Sequence, residues 1–158
     1  MAMNRIALLV LATTCVILAG CGHKVTEADA VGSWKVDPVA VQGKKGADVM
    51  SKMTFTLAAD HTYVMAGPIP VSVKGTWAFA DKKVTVTPVS LEMANPVQPG
   101  TTQEVPIGPA IAQLRTLAQK DESIQDSLTM MSESTIFDFS DDGMKLSDNG
   151  KPALIKSS

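Results

Sequence analysis

Few side chains in this sequence have both the type and the spacing to do chemistry. Of its two histidines, His23 sits beside Cys21 near the N-terminus, and only His61 lies within the stretch patterned to fold, so imidazole-dependent catalysis would rest on His61 alone. No Gly-x-Ser-x-Gly elbow, His-Glu-x-x-His pair or Cys-x-x-Cys accompanies it. Asp60-His61 follows an apolar strand pattern as Asp142-Gly143 does, which places His61 at a turn position needing φ above zero, a conformation histidine tolerates. Asp138-Phe-Ser140-Asp-Asp142-Gly143 has oxygen donors at alternate positions and a glycine for a sharp bend, as a calcium loop begins. Its twelfth position is Asn149, which cannot close the loop with a bidentate carboxylate, and an exposed hairpin turn accounts for the same residues. Met50, Met53, Met65, Met130 and Met131 carry thioethers suited to copper(I), and Cys21-Gly22-His23 an amine and imidazole suited to copper(II). The same methionines fall on apolar faces, where methionine fills core space. Gly43-Lys44-Lys45-Gly46 lacks the spacing and hydroxyl of a phosphate-binding loop. On these residues the chain reads as non-catalytic, without a metal site and without a cofactor.

The remaining reactive group is the Cys21 thiol. Arg5, the apolar run Ile6 to Leu18 and the small pair Ala19-Gly20 precede it in the order of a charged n-region, an apolar h-region and a cleavage site. The run is too short for a membrane-crossing helix, which needs about 20 apolar residues. Leu18-Ala19-Gly20-Cys21 resembles the lipobox of bacterial lipoprotein precursors. The resemblance implies cleavage before Cys21 and lipidation of its thiol, with residues 1–20 a lipoprotein signal peptide, 21–31 a lipidated tether and 32–158 a single β-rich domain. Acylation of the new amine would abolish the copper(II) site. Gly22, where an aspartate would retain such a protein in the inner membrane, implies a lipid anchor in the outer membrane of the cell envelope, with the domain in the periplasm.

Cys15 leaves with the signal and Cys21 is acylated, so the mature domain has no disulfide and relies on its core, although exported chains can use such bridges. Its length suffices to bury roughly two thirds of the unfolded surface. Without Arg5, 13 basic residues face 16 acidic ones, a formal charge of −3. No basic stripe is left to neutralise phosphates, which argues against nucleic acid as a partner. A tether from Gly22 to Val31 reaches at most about 35 Å. That range admits Lys44, Lys45 and Lys52 to anionic head groups, each contributing up to about 1 kcal/mol.

The elements that position these residues read as strands. Gly32-Ser33-Trp34 and Gly75-Thr76-Trp77 each open an extended stretch, and each is followed by Phe, one residue, an apolar residue, two residues and Asp: Phe55, Leu57, Asp60 and then Phe137, Phe139, Asp142. The second interval is 39 residues longer than the first, which predicts an insert within about 89–131. Met53 to Leu57, Val71 to Lys74 and Val84 to Thr87 alternate apolar and polar, with shorter runs at Ile136 to Phe139 and Met144 to Leu146. Turn chemistry separates them at 59–61, 81–83, 141–143 and 148–150, which predicts an antiparallel meander closed as a small barrel or left as a curved sheet. Pro88, Pro96, Pro99, Pro106 and Pro109 are expected to exclude a continuous strand or helix up to 109. Beyond it, Ile111, Leu114, Leu117 and Ala118, then Ile124, Leu128 and Met131, line a helical face.

The paired Gly-x-Trp starts and Phe-x-apolar-x-x-Asp hairpins resemble the lipocalin-like β-domains of many bacterial lipoproteins. The resemblance implies a mainly β, lipocalin-like barrel with a helical insertion whose interior takes a small apolar ligand, with Trp34, Phe55, Trp77, Phe79 and Phe137 as candidate lining. Aromatics at strand spacing also serve as plain core. Two function classes therefore stand: a non-catalytic interaction or structural module of the envelope, and a small-molecule binder.

Overall fold

The computed structural model describes residues 24–68, 70–95, 97–117, 128 and 131–157. In chain order its elements are α1 (Glu27–Ala30), β1 (Gly32–Val36), α2 (Pro38–Val41), α3 (Ala47–Met50), β2 (Thr54–Leu57), β3 (Thr62–Ala66), β4 (Val71–Ala80) and β5 (Lys83–Ala94). There follow β6 (Thr102–Pro106), α4 (Ile107–Leu117), β7 (Thr135–Phe139), β8 (Lys145–Asp148) and β9 (Lys151–Lys156). Eight of these strands close an antiparallel barrel in the order β1-β2-β3-β4-β5-β7-β8-β9, with β9 pairing back onto β1, while β6 adds to the C-terminal half of β5. The protein is thus mainly β, a small meander barrel with a helical insertion.

Period-two alternation closes the barrel around one core. Trp34 and Val36 of β1, Leu57 of β2, Tyr63 of β3, Val73 and Trp77 of β4, and Phe137 and Phe139 of β7 are all buried. Ser33, Lys35, Thr56 and Thr76, on the alternate positions, are exposed. Such a sheet keeps one face dry and the other in water. The turns behave as their residues require. Asp81-Lys82 and Asn149-Gly150 take positive φ throughout and join strands whose flanking residues pair directly, Ala80 with Lys83 and Asp148 with Lys151. These are two-residue loops whose twist matches that of the strands. His61 (φ 66°) and Gly143 (φ 70°) share the left-handed conformation that their aligned positions predict.

The prolines do not break the strands as expected. β5 runs through Pro88, and β6 ends on Pro106. Pro88 sits where β5 changes partner, between Val86, the last residue on β7, and Ser90, the first on β6. The pairing with β4 also shifts there, from Lys74↔Ser90 to Gly75↔Pro88, leaving Val89 as an extra residue. A bulge tolerates a missing N–H and resets the alternation. Accordingly the buried apolar residues of β5 change parity, from Val84 and Val86 to Leu91. The excursion read as an insert at 89–131 departs at this bulge. Pro109 falls in the first turn of α4, where no N–H is required.

The helix expected in the insert is present as α4 and lies against the sheet. Ala110 and Ile111 of α4 are buried and Leu114 is half-buried, with α4 lying against β5 and β6. Helical Leu128 is buried and Met131 half-buried; Ala118 and Ile124 lie outside the described residues. Of the stretch 21–31, residues 24–31 are described, and there Val25 is 4% exposed and Ala30 fully buried. From Val25 onward it belongs to the domain.

Candidate functional site

The five aromatic candidates are carried on inward positions of the barrel wall, but they form two groups. Trp34 is fully buried and meets Phe139 edge-on at 5.6 Å, and Phe79 meets the same ring at 5.9 Å. Phe55 pairs with Trp34 across β1 and β2, and Phe137 is buried on β7. Trp77 stands apart, stacked on the His61 imidazole with ring centroids 5.1 Å apart. Each indole N–H is spent on the protein: Trp34 donates to the Ala30 carbonyl at 2.9 Å and Trp77 to the Ala58 carbonyl at 2.8 Å. Leu91, Leu146, Val73 and Val84 pack between these groups with almost no exposure. The two best-formed clefts among the described residues open on the outside. One, of about 370 Å³, lies between α2 and α3 beside Val39 and Ala47. The other, of about 390 Å³, lies over Gly75 on the outer wall of β3, β4 and β5.

One end of the barrel is closed by the chain's own N-terminal segment. Thr26 caps α1 through reciprocal bonds with Asp29, its N–H and hydroxyl both donating to the Asp29 carboxylate at 2.8 Å. The C-terminal carbonyls of a helix need outside donors, and the barrel supplies them: Trp34 to Ala30, and the Lys156 ammonium to Asp29 at 2.5 Å. Lys156 pairs with Trp34 across β9 and β1, and its ammonium stands 5.5 Å from that ring centroid. Its stem passes Gly32, where a Cβ would stand 3.5 Å from the Lys156 Cε. Glu27 holds His61 Nε2 at 3.0 Å. His61 is thus a clamp between the plug helix and Trp77, a role the sequence signalled only through its turn.

The other polar groups are engaged by neighbours. In the 138–143 loop, Asp142 accepts from the Ser140 hydroxyl at 2.5 Å and the Met144 N–H at 3.0 Å, which holds its carboxyl below the usual range. Asp138 faces Lys83 across β7 and β5 at 3.4 Å. The run therefore forms a hydrogen-bonded hairpin turn. Among the described residues no three metal-ligating side chains of the His, Cys, Asp and Glu type converge.

A polar cluster on the outer wall of β4, β5 and β6 was not legible in the sequence. Lys74 Nζ contacts Glu92 at 2.8 Å and Glu104 at 4.0 Å, Thr102 donates to Glu92 at 2.7 Å, and buried Ser90 donates to Glu104 at 2.5 Å. The Lys74 contact, with the Thr102 hydroxyl next, lowers the Glu92 pKa, and Glu92 in turn raises that of Lys74. The registers of β4 with β5 and of β5 with β6 join residues so far apart. Comparison with known proteins finds no matching family, no matching curated protein and no matching solved structure. Cys21, His23, Met130 and residues 1–20 lie outside the described residues. No helix among the described residues is long and apolar enough to cross a membrane.

Proposed function

We propose that this protein is a lipid-anchored envelope lipoprotein whose barrel acts as a non-catalytic interaction or structural module. The packed interior is the observation that carries the domain's part of this reading. An eight-stranded barrel is just wide enough either to be filled by its own side chains or to hold one small ligand. Here Trp34, Trp77 and the aliphatic Leu91, Leu146, Val73 and Val84 have almost no exposure, both indole N–H groups are satisfied, and α1 is bonded to the barrel at one end. What such a barrel offers to other molecules is its outside. The anchor rests on the Arg5, Ile6–Leu18 and Leu18-Ala19-Gly20-Cys21 pattern, and Gly22 favours the outer membrane.

Two measurements test the two halves. The full chain expressed in bacteria should incorporate labelled palmitate and partition into detergent, and Cys21→Ser should abolish both; label retained on the substituted chain refutes the anchor. Titration with fatty-acid and naphthalene-sulfonate probes should show no saturable uptake by the native barrel. One-to-one uptake with energy transfer from tryptophan would instead establish the lipocalin-like small-ligand class.

A further inference from the structure

We infer that the α1 end of the barrel is the face that meets the membrane, lying against the lipid head groups, while the α2–α3 end points away; this rests on the lipid anchor at Cys21 proposed above. The premise is a length. Val25 is 4% exposed and in the core cluster, so the chain is held by the barrel from that residue. Only Gly22, His23 and Lys24 separate it from Cys21. Four Cα steps span at most about 14 Å even when fully extended. The acylated sulfur must stay at the hydrocarbon boundary, and the head-group layer beyond it is itself about 5–8 Å deep. The slack that remains is a few water layers at most.

Topology then decides which end is held. In an antiparallel meander the strand termini alternate, so the start of β1, the end of β2, the start of β3 and the end of β4 share one end. The start of β5, the end of β7, the start of β8 and the end of β9 share it too. α1 precedes β1 and is bonded to Trp34, His61 and Lys156 at that end. The hairpin turns at Asp81-Lys82 and at 140–144 lie there as well. Lys44, Lys45 and Lys52 follow the end of β1 or precede the start of β2, and so stand at the opposite end. Their expected contact with anionic head groups is incompatible with this attachment.

Charge does not set the orientation. Lys82 is paired with Asp141 at 3.2 Å, and Lys156 is engaged by the Asp29 carbonyl. Neutral vesicles should therefore orient the barrel as anionic ones do. The tether is the cause, and lengthening it should remove the effect.

The lipidated full chain is the material for the test. Because the mature chain has no thiol besides Cys21, Met144→Cys, at an exposed position of the 140–144 turn, and Lys45→Cys each accept one fluorophore and leave the Lys82–Asp141 pair intact. The labelled proteins are reconstituted into phosphatidylcholine vesicles, with and without phosphatidylglycerol, containing a lipid with a nitroxide on its head group. The label at position 144 should lose most of its emission and the label at position 45 keep most of its own, in both lipid mixtures. Inserting a Gly/Ser segment of about 20 residues after Gly22, with an r.m.s. span of about 25 Å, should bring the two values together. Equal or reversed quenching in the uninserted protein overturns the orientation while leaving the anchor intact. A mass spectrum showing Cys21 without lipid refutes the anchoring reading, and the orientation with it.

Discussion

Replacing Gly75 by alanine should unfold this barrel more readily than replacing any glycine in open space. A Cβ at Gly75 would lie 2.1 Å from the Thr87 carbonyl oxygen and 2.4 Å from Cε1 of Tyr63. Ordinary contact would need over an ångström more from each. Thr87 belongs to β5 immediately before the bulge, and what it presents to Gly75 is backbone. Tyr63 is 3% exposed, so its ring has no free space to enter. Overpacking typically costs about 1–3 kcal/mol, and a collision with paired backbone belongs at or above the top of that range. At the few degrees per kcal/mol usual for domains of this size, the melting temperature should fall by about 10 °C. Circular dichroism melts of the mature chain, with urea titration, read the effect. Gly108→Ala is the comparator: nothing lies within 4 Å of its Cβ, and in the first turn of α4 alanine should be neutral or gain up to about 1 kcal/mol. If Gly75→Ala melts within about 2 °C of the parent, a shift that corresponds to roughly 0.5 kcal/mol, the close approach of β4 and β5 is wrong.

Tyr63 is the chain's single tyrosine, and burial pushes its pKa up to about 12. Its phenolate absorbance should therefore rise with a midpoint near 12 rather than near the usual 10; a midpoint near 10 would place the ring in water. The folded pKa lies above the unfolded one, so the neutral phenol binds its proton more tightly in the fold. Stability from this group is complete below pH 10 and is lost as pH rises through the interval to about 12, as urea midpoints should show. Trp34→Phe keeps an aromatic ring but strips the Ala30 carbonyl of its donor, an expected loss of about 1–3 kcal/mol; an unchanged urea midpoint would count against the plug. Millimolar calcium should leave the melting temperature unchanged, because the Asp142 carboxylate is already held by Ser140 and Met144. A calcium-dependent rise that Asp142→Ala removes would instead identify a native-state site.

Local chemistry carried much of the fold into the sequence. Alternation marked β2, β4, β5, β7 and β8, because a strand with one dry face must alternate. The turns at 81–82 and 149–150, and the positive φ of His61, followed from a short list of residues that tolerate such backbone. The resemblance of residues 5–21 to a lipoprotein signal is likewise a local pattern. Where a strand lacked a clean alternating run, as in β3, β6 and β9, periodicity was silent, and α1 was too short to show any.

Tertiary structure decided the rest. The two Gly-x-Trp motifs read alike, yet Gly32 is required by its φ of 132° and Gly75 by the nearness of Thr87 and Tyr63. One is a property of the residue's own backbone, the other of a strand it meets only after folding. Pro88 counted against a strand until its place at a change of partners made its missing N–H harmless. Whether the aromatic residues surround a ligand or one another depends on strand number and on the summed volume of side chains from eight strands. No window of sequence contains that sum. The same holds for the N-terminal stretch: its residues read as a tether, but only the burial of Val25 and Ala30 against the barrel places them in the domain.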